Sequence, residues 1–291
     1  LQQQPTSWRC DNNHCFDTAK QGYTNLLLVQ NKRSRAPGDD ALMVDARMRF
    51  LNTGLYQPIS DALNQLVLSH HQHQPADTVN KNAFHIIDAG CGEGYYTQRL
   101  HKTLLNHSHN CDIVGVDISK FAVRAAARRS KLPPINNSKS SHNNCHWFVA
   151  NSNQLPIENS SADILLSLFS PLPCKEFSRV CSDHSLLIIA STGPQHLIEM
   201  RQQLYDKVDQ QSLEPAGQLQ THFQRIAQQT VNAKITLSNP QQIEDLLSMT
   251  PHYWRASLER KKQLYEQNSM IVTIDVHLHS FKKIAPPSNN E

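Results

Sequence analysis

The stretch that decides the fold reads Ile86-Ile87-Asp88-Ala89-Gly90-Cys91-Gly92-Glu93-Gly94. Its first half continues an apolar run that begins at Phe84, and this run predicts a short β-strand over residues 84–88. Its second half carries three glycines at alternate positions, and glycine allows positive φ values and the close approach of a ligand. Because the loop follows the carboxyl end of a strand, it lies where open α/β sheets bind their ligands.

Strands and helices alternate on both sides of this loop. Apolar runs predict strands over residues 84–88, 113–117, 147–150, 163–168, 185–191 and 270–281. Helical spacing predicts helices over residues 41–51, 58–68, 95–105 and 120–130, with Ser119 as the N-cap of the last, and a mostly helical segment over residues 194–231. We expect loops over residues 69–82 and 132–144. The alternation predicts an α/β fold with a Rossmann-like, mainly parallel sheet and helices on both faces.

A second carboxylate ends the next predicted strand. Asp117 closes the run over residues 113–117, where an acid can accept hydrogen bonds from both ribose hydroxyls of a bound nucleoside. Asp88, the glycine loop and Asp117 together are the pattern of class I methyltransferases that use S-adenosylmethionine (SAM). The spacing G-x-G-x-G differs from the G-x-G-x-x-G of dinucleotide-binding loops, which disfavours NAD. The alternative interpretation is a tight turn beside a surface aspartate.

Composition narrows the class of protein. The chain has 291 residues, of which 38% are hydrophobic, enough for one large domain or for one domain with an appendage. Because no apolar run approaches the ~18 residues of a membrane span and no signal-peptide pattern opens the chain, we expect no membrane partner. Seven Cys at irregular spacing argue against a disulfide framework and favour the cytoplasm. The net charge of +3 leans basic but does not by itself indicate a nucleic-acid partner.

Several segments carry a more specific resemblance. They lie at residues 16–17, 19–20, 22–23, 25–27, 29–39, 50–51, 54–58, 90–97, 193–197 and 249–256. The run Lys-Arg-Ser-Arg-Ala-Pro-Gly-Asp at residues 32–39 and the late Met-Thr-Pro-His-Tyr-Trp-Arg-Ala are not features of methyltransferases in general. In these segments the chain resembles the bacterial 23S rRNA (guanine-N1)-methyltransferases, and the resemblance covers most of its length.

The resemblance implies both an activity and cofactor contacts. The implied activity is transfer of a methyl group from SAM to N1 of a guanine in a hairpin loop of domain II of 23S rRNA. Carried over by position, the family's SAM contacts fall on Tyr56, Gly92, Glu93 and His196. The loop pattern and the strand ends add further cofactor-binding candidates, which are Asp88, Gly90, Gly94, Asp117 and Asn151. The ordinary alternatives are a core tyrosine for Tyr56 and a lone histidine for His196.

The resemblance also implies an N-terminal zinc module over residues 1–36, ahead of a methyltransferase domain over residues 37–291. The family's module has a Cys-x-x-Cys pair, then a Cys followed four residues on by His; this chain retains Cys10 and His14 as metal ligands. No Cys precedes Cys10 in the printed sequence, whereas a structural zinc needs four ligands. Since the chain begins with Leu, we expect that the natural start carries the first pair or that the site has decayed. The alternative is a free thiol and a surface imidazole.

Basic side chains are the candidates for RNA contact. The resemblance favours phosphate contacts by Lys32, Arg33 and Arg35 over a merely solvated loop. Four more cations follow Asp117, and we interpret them first as a solvated helix face and second as an RNA surface: Arg124, Arg128, Arg129 and Lys131.

Guanine N1 carries a proton and is a poor nucleophile while it keeps it, so a general base, or a donor that stabilises the developing charge on O6, should help. Asp39, Asp40 and His196 are candidates by location only, and the sequence therefore assigns no catalytic residue. Two other functions stay open: a class I methyltransferase acting on a small molecule, and a non-catalytic protein that binds SAM or RNA. The family also implies a homodimer, which no feature of the sequence indicates.

Overall fold

The structure, a computed structural model, describes residues 2–28, 37–72, 84–131, 145–209 and 214–284. The strands within these ranges are β1 (Gln2–Gln3), β2 (Ser7–Arg9), β3 (Cys15–Asp17), β4 (Tyr23–Asn25), β5 (Phe84–Ala89), β6 (Cys111–Asp117), β7 (Cys145–Val149), β8 (Ala162–Leu168), β9 (Cys181–Thr192), β10 (Phe223–Leu237) and β11 (Met270–Lys283). Eight of them form one sheet in the order β4-β7-β6-β5-β8-β9-β11-β10, and β1, β2 and β3 form a small separate sheet.

The large sheet is parallel except at one edge. Each neighbouring pair from β4 to β9 is parallel, whereas β11 runs antiparallel to both β9 and β10. The chain passes from β5 outward to β6 and β7, then crosses to β8 and β9 on the other side of β5. The strand order therefore reverses at β5, and the crevice at the carboxyl ends of the strands beside such a reversal is where these sheets bind ligands. The predicted Rossmann-like sheet is confirmed.

Helices cover both faces of this sheet. They are α1 (Ala41–Asn52), α2 (Gln57–Gln72), α3 (Tyr95–Asn106), α4 (Lys120–Ser130), α5 (Cys174–Val180), α6 (Ile198–Leu204), α7 (Pro215–Leu219), α8 (Pro240–Ser248), α9 (His252–Arg255) and α10 (Leu258–Tyr265). Successive side chains of a strand point to opposite faces. Accordingly, Ile86 of β5 joins one apolar cluster, whereas Ile87 and Ala89 join another. As predicted, Ser119 caps α4, because its hydroxyl accepts a hydrogen bond from the N–H of Ala122 at 3.2 Å.

Two predictions of local structure are wrong. The sequence predicts that residues 194–231 are mostly helical, but within the described part of this span only the short helices α6 and α7 form, and the 15-residue strand β10 begins at Phe223. Residues 224–230 are exposed on this edge strand, so they lack the alternating polarity that would have marked it. The loop predicted over residues 69–82 is wrong at its start, because α2 continues to Gln72. The rest of that loop, and the loop predicted over residues 132–144, lie outside the described residues.

The N-terminal segment packs against the edge of the large sheet. The ring of Trp8 on β2 lies edge-on to Phe148 of β7, with the ring centroids 5.1 Å apart. Strand β4 pairs in parallel with β7 and extends the large sheet by one strand. The predicted boundary between two domains at residue 36 stays a prediction. Strand β4 precedes that boundary in the chain, yet it belongs to the large sheet. Among the described residues, no helix has both the length and the apolar character needed to cross a membrane.

Candidate active site

The loop between β5 and α3 has a conformation that depends on its glycines. The φ angles of Gly90, Gly92 and Gly94 are +87°, +55° and +79°. A Cβ atom on Gly90 would lie 2.5 Å from Cβ of Ser170, and one on Gly94 would lie 2.8 Å from Cβ of Ala126. On Gly92, by contrast, a Cβ atom would meet only the Arg47 guanidinium among the described residues, at 3.7 Å. The loop is thus packed at its two ends and open at Gly92, where a ligand can approach the backbone.

Replacing Gly94 with Ala should therefore destabilise the protein by about 2–5 kcal/mol, because a positive φ and overpacking against Ala126 add their costs. Gly217→Ala is the matched control, since Gly217 lies in α7 and a Cβ atom there would meet no described atom within 4 Å. We expect this control to be neutral or up to about 1 kcal/mol more stable. Urea unfolding of the two variants measures the difference, and equal midpoints would contradict the prediction.

Two carboxylates lie near this loop at the ends of neighbouring strands: Asp88 near the end of β5 and Asp117 at the end of β6. The Oδ2 atom of Asp117 accepts a hydrogen bond from the N–H of Gly92 at 3.0 Å, and its Oδ1 atom accepts one from the N–H of Ser119 at 2.8 Å. Asp88 accepts a hydrogen bond from the hydroxyl of Thr97 at 2.5 Å. Its other oxygen, Oδ1, is buried and has no hydrogen-bond partner among the described residues. Burial raises the pKa of Asp88 to about 7; the hydrogen bond from Thr97 opposes this rise, and the charge of Asp117 adds to it.

SAM fits this arrangement of groups. The unpartnered oxygen of Asp88 is a buried acceptor that a bound donor such as the SAM ammonium group would satisfy, because leaving it unpaired is costly. Asp117 lies at the carboxyl end of β6, where each of its oxygens has a lone pair left for a ribose hydroxyl. The open backbone at Gly92 lies between these two carboxylates in the chain.

Glu93 is held inside the loop. Its side chain is buried, and one carboxylate oxygen lies 2.6 Å from Nη2 of Arg129, a distance that forms an ion pair. Burial raises the pKa of Glu93, and the charge of Arg129 opposes that rise. Arg129 also donates a hydrogen bond to Oδ1 of Asn52 at 2.9 Å. Through Arg129, Glu93 therefore connects the loop to α4 and to the end of α1. The sequence predicted a role in SAM binding for Glu93 but not this ion pair.

The aspartates considered as a general base have structural partners. Asp39 forms an ion pair with Arg47, and its backbone carbonyl accepts a hydrogen bond from the hydroxyl of Ser119 at 2.6 Å. Asp40 caps α1 by accepting a hydrogen bond from the N–H of Met43 at 2.9 Å. The backbone of Asp39 therefore lies beside the carboxyl end of β6. The carboxylate of Asp39 is paired with Arg47, and that of Asp40 caps a helix.

Tyr56 and His196 meet across the fold, although 140 residues separate them in the chain. The Tyr56 hydroxyl lies 3.3 Å from Nε2 of His196, and the N–H of Asp275 donates to Nδ1 of the same ring at 3.2 Å. Burial lowers the pKa of His196 to about 4, so the ring is neutral at pH 7. Because Nδ1 accepts, the proton of the neutral ring is on Nε2 and is donated to the Tyr56 oxygen. The hydroxyl proton of Tyr56 is left to donate to a ligand.

Asn151 lies beside the end of β6. It follows Ala150, whose N–H donates to the backbone carbonyl of Asp117 at 3.1 Å. Its side-chain oxygen accepts a hydrogen bond from the N–H of Asn153 at 3.0 Å, which forms a tight turn. Asn151 is therefore within the same edge of the sheet as Asp117, and its contact with adenine stays a prediction.

The sequence analysis missed Phe169, which follows the carboxyl end of β8. Its φ is +54°, a rare value for a residue with a Cβ atom, and its side chain is 44% exposed. Its ring centroid lies 6.3 Å from that of Tyr96, the second residue of α3. The next residue, Ser170, donates to the carbonyl of Ala89 at 2.8 Å, so this turn is fixed to the glycine loop. An aromatic residue directly before Ser-Pro at the end of a predicted strand was the signal available in the sequence.

The two predicted metal ligands, Cys10 and His14, lie next to each other. Sγ of Cys10 and Nδ1 of His14 lie 3.3 Å apart, which suits two ligands of one ion. Within the described ranges, no group of three or more His, Cys, Asp or Glu is placed to hold a metal ion. Two ligands cannot close a structural zinc site, so the residues described here do not fit the ion by themselves. The predicted RNA contacts Lys32, Arg33 and Arg35 lie outside the described residues.

A sheet that reverses at β5, a three-glycine loop open at Gly92, and carboxylates at the ends of β5 and β6 define a class I SAM-dependent methyltransferase. The chain belongs to the family described as Methyltransferase domain, which it matches over residues 80–246. Residues 1–35 match a second family, described as RlmA, N-terminal, which is a zinc ribbon. Together these two matches confirm the resemblance found in the sequence.

Named relatives match most of the chain. A Bacillus subtilis protein, provisionally named 23S rRNA (guanine-N(1)-)-methyltransferase YxjB, is 29% identical over 269 residues, which are 91% of this chain and 86% of the relative. The 23S rRNA (guanine(748)-N(1))-methyltransferase of Streptomyces fradiae is 27% identical over 249 residues, which are 84% of this chain and 79% of the relative. A solved structure from Bacillus halodurans C-125, provisionally titled a methyltransferase, is 12% identical, with a TM-score of 0.46, and covers 70% of this chain and 94% of that one.

Proposed function

We propose that this protein transfers the methyl group of SAM to N1 of a guanine in a hairpin loop of 23S rRNA. One observation carries the proposal: a single chain combines a glycine loop hydrogen-bonded to Asp117 through Gly92, in a methyltransferase fold, with an N-terminal segment that matches the RlmA zinc ribbon. The names of the relatives support it, because these relatives match 91% and 84% of the chain and are named as 23S rRNA (guanine-N1)-methyltransferases. A methyltransferase for a small molecule would have no evident use for that N-terminal segment.

The proposed SAM site has a contacting set and a supporting pair. The contacts are Tyr56, Asp88, Gly90, Gly92, Gly94, Asp117, Asn151 and His196, as the sequence predicts. Glu93 belongs to the same site, but we propose that it acts mainly by holding the loop through its ion pair with Arg129. When bound, SAM supplies a methyl group on a positively charged sulfur.

The chain's residues accelerate such a transfer mainly by alignment. A methyl transfer is an in-line displacement, so fixing the acceptor and donor in one geometry supplies much of the acceleration. His196 is a poor candidate for the general base, because its pKa is lowered to about 4 and Nδ1 already accepts a hydrogen bond from Asp275. We assign it instead to positioning Tyr56, whose hydroxyl proton is left for a bound ligand. The base that removes the guanine N1 proton stays unassigned.

Phe169 is the residue we propose to stack on the acceptor guanine. The base of a hairpin loop is readily turned out of its stack, and proteins hold such bases against aromatic side chains. Phe169 offers an exposed ring at the carboxyl end of β8, directly after the strand that pairs with β5. Its φ of +54° is strained for a residue with a Cβ atom, and strained residues cluster at functional sites.

The proposal extends to other parts of the molecule. Lys32, Arg33 and Arg35 would contact RNA phosphates, and a zinc module would include Cys10 and His14. Domain II of 23S rRNA as the source of the hairpin and a homodimer are implied by the family resemblance, and they are part of the proposal on that ground alone. The cytoplasm is proposed as the compartment because seven Cys at irregular spacing argue against a disulfide framework.

The test is methyl transfer from radiolabelled SAM to an unmodified domain II fragment of 23S rRNA, followed by digestion to nucleosides. We expect label in 1-methylguanosine, and none when adenines replace the guanines of the hairpin loop. Label in another nucleoside would contradict the position of transfer. Transfer only to small acceptors would favour the small-molecule methyltransferase. SAM binding without transfer to any acceptor would favour the non-catalytic protein.

A further inference from the structure

A second cleft lies next to the cofactor loop but outside it. It has a volume of about 330 Å³ and is formed between α1 and α4. Its apolar lining consists of Ala41, Val44, Met48, Phe121 and Ala125. Its polar lining consists of Asp45, Asn52, Arg124, Arg128 and Arg129. The volume is at the lower end of the range for small-ligand pockets, which suits a ligand the size of one nucleotide.

The lining of this cleft carries more positive than negative charge. Arg124 and Arg128 are one helical turn apart on α4, so their side chains lie on one face of the helix. Neither guanidinium forms an ion pair within the part of the chain that the structure describes. Arg129, in contrast, is neutralised by Glu93. With Asp45 as the one carboxylate in the lining, the cleft keeps a net positive charge and fits an anion.

The lining also fits a planar apolar group beside that anion. The Arg124 guanidinium lies 5.7 Å from the centroid of the Phe121 ring, within the range of a cation–π contact. Guanidinium groups bind phosphate oxygens bidentately, and nucleic-acid bases stack on aromatic rings and on guanidinium planes. A phosphate with an attached base therefore matches the cleft better than a simple anion, which would leave the apolar side uncovered.

We propose that this cleft binds one nucleotide of the RNA substrate, with its phosphate at Arg124 and Arg128 and its base against Phe121. The inference rests on the proposed RNA substrate and adds to it a binding site apart from the acceptor base. Arg129 connects the two sites, because it lines the cleft and pairs with Glu93 of the cofactor loop. RNA held there lies directly beside the loop that holds SAM.

The experiment replaces both unpaired arginines, as R124Q/R128Q in the full chain. Its matched control is K175Q/K282Q, which removes the same charge from two exposed lysines on α5 and β11. Binding of a fluorescent domain II hairpin is followed by anisotropy across a salt series. We expect the arginine variant to lose about 10-fold in affinity and about 1–2 units in the slope of log Kd against log salt. The control should change neither, and SAM affinity should be equal in all three proteins.

A second measurement locates the RNA directly. Met48 lines the cleft from α1, so a benzophenone amino acid in its place should cross-link to the hairpin, and less so in the R124Q/R128Q background. Equal RNA affinity and salt slope in the two double variants, with all proteins folded, would overturn the inference while leaving the proposed function standing. Cleft-dependent RNA binding without any methyl transfer would support the inference and overturn the proposed function. Absence of cross-linking despite RNA binding would also overturn the inference.

Discussion

Replacing Asp117 with Ala should lower the affinity for SAM by about 100-fold or more, because the two hydrogen bonds that we propose from ribose hydroxyls to this carboxylate would be lost together. The same change removes the acceptor for the N–H groups of Gly92 and Ser119, which lie 3.0 and 2.8 Å from the two carboxylate oxygens. The glycine loop then loses the contact that joins it to the end of β6. Both effects act on the cofactor, so methyl transfer should fall with SAM binding.

Calorimetric titration with SAM measures this loss, and urea unfolding separates it from a general loss of stability. Asp112→Ala is the matched control, since Asp112 is a partly exposed acid at the opposite end of the same strand from Asp117. We expect this control to bind SAM with unchanged affinity. Equal SAM affinity in D117A and the unchanged protein would show that the carboxylate at the end of β6 does not hold the cofactor.

The parts of the site that the sequence predicted are those fixed by short stretches of chain. The glycine loop, Asp88 and Asp117 lie at the end of a predicted strand or directly after it. Once the strands form one parallel sheet, these residues must therefore lie at the same edge. The meeting of Tyr56 with His196 depends on contacts across 140 residues, and only the family resemblance pointed to both. The ion pair of Glu93 with Arg129 is likewise invisible in sequence spacing, because it joins a loop to the far end of a neighbouring helix.

The same distinction explains where the fold was predicted and where it was not. Buried strands such as β5 and β8 are continuous apolar runs, which is typical of parallel sheets covered on both faces. The edge strand β10 is exposed over residues 224–230, without alternating polarity there, and is held by its pairing with β11 over almost its whole length. Tertiary pairing of this kind overrides local propensity. Phe169 escaped notice for a related reason, since a positive φ in a residue other than glycine leaves no mark on composition.

Replacing Phe169 with a smaller residue should lower the rate of RNA methylation without lowering the stability of the protein. A purely structural role of the ring would instead lower stability. Phe169→Ala should lower kcat/KM for RNA by about 10- to 100-fold, because stacking of one base on an aromatic ring contributes roughly 1–3 kcal/mol. Phe169→Gly should lose the same activity, yet be up to about 1 kcal/mol more stable, since glycine tolerates a φ of +54°. Phe169→Tyr keeps a stacking ring and should keep most of the activity.

Steady-state kinetics on the hairpin, calorimetry with SAM and urea unfolding together distinguish the explanations. If the ring stacks on guanine, both small substitutions lower RNA turnover while SAM affinity stays unchanged, and Phe169→Tyr restores turnover. If the ring only covers Tyr96, whose centroid is 6.3 Å away, stability and SAM affinity should fall together in Phe169→Ala. Full activity of Phe169→Gly would exclude a role in base stacking and would leave the positive φ of this residue as strain without a functional use.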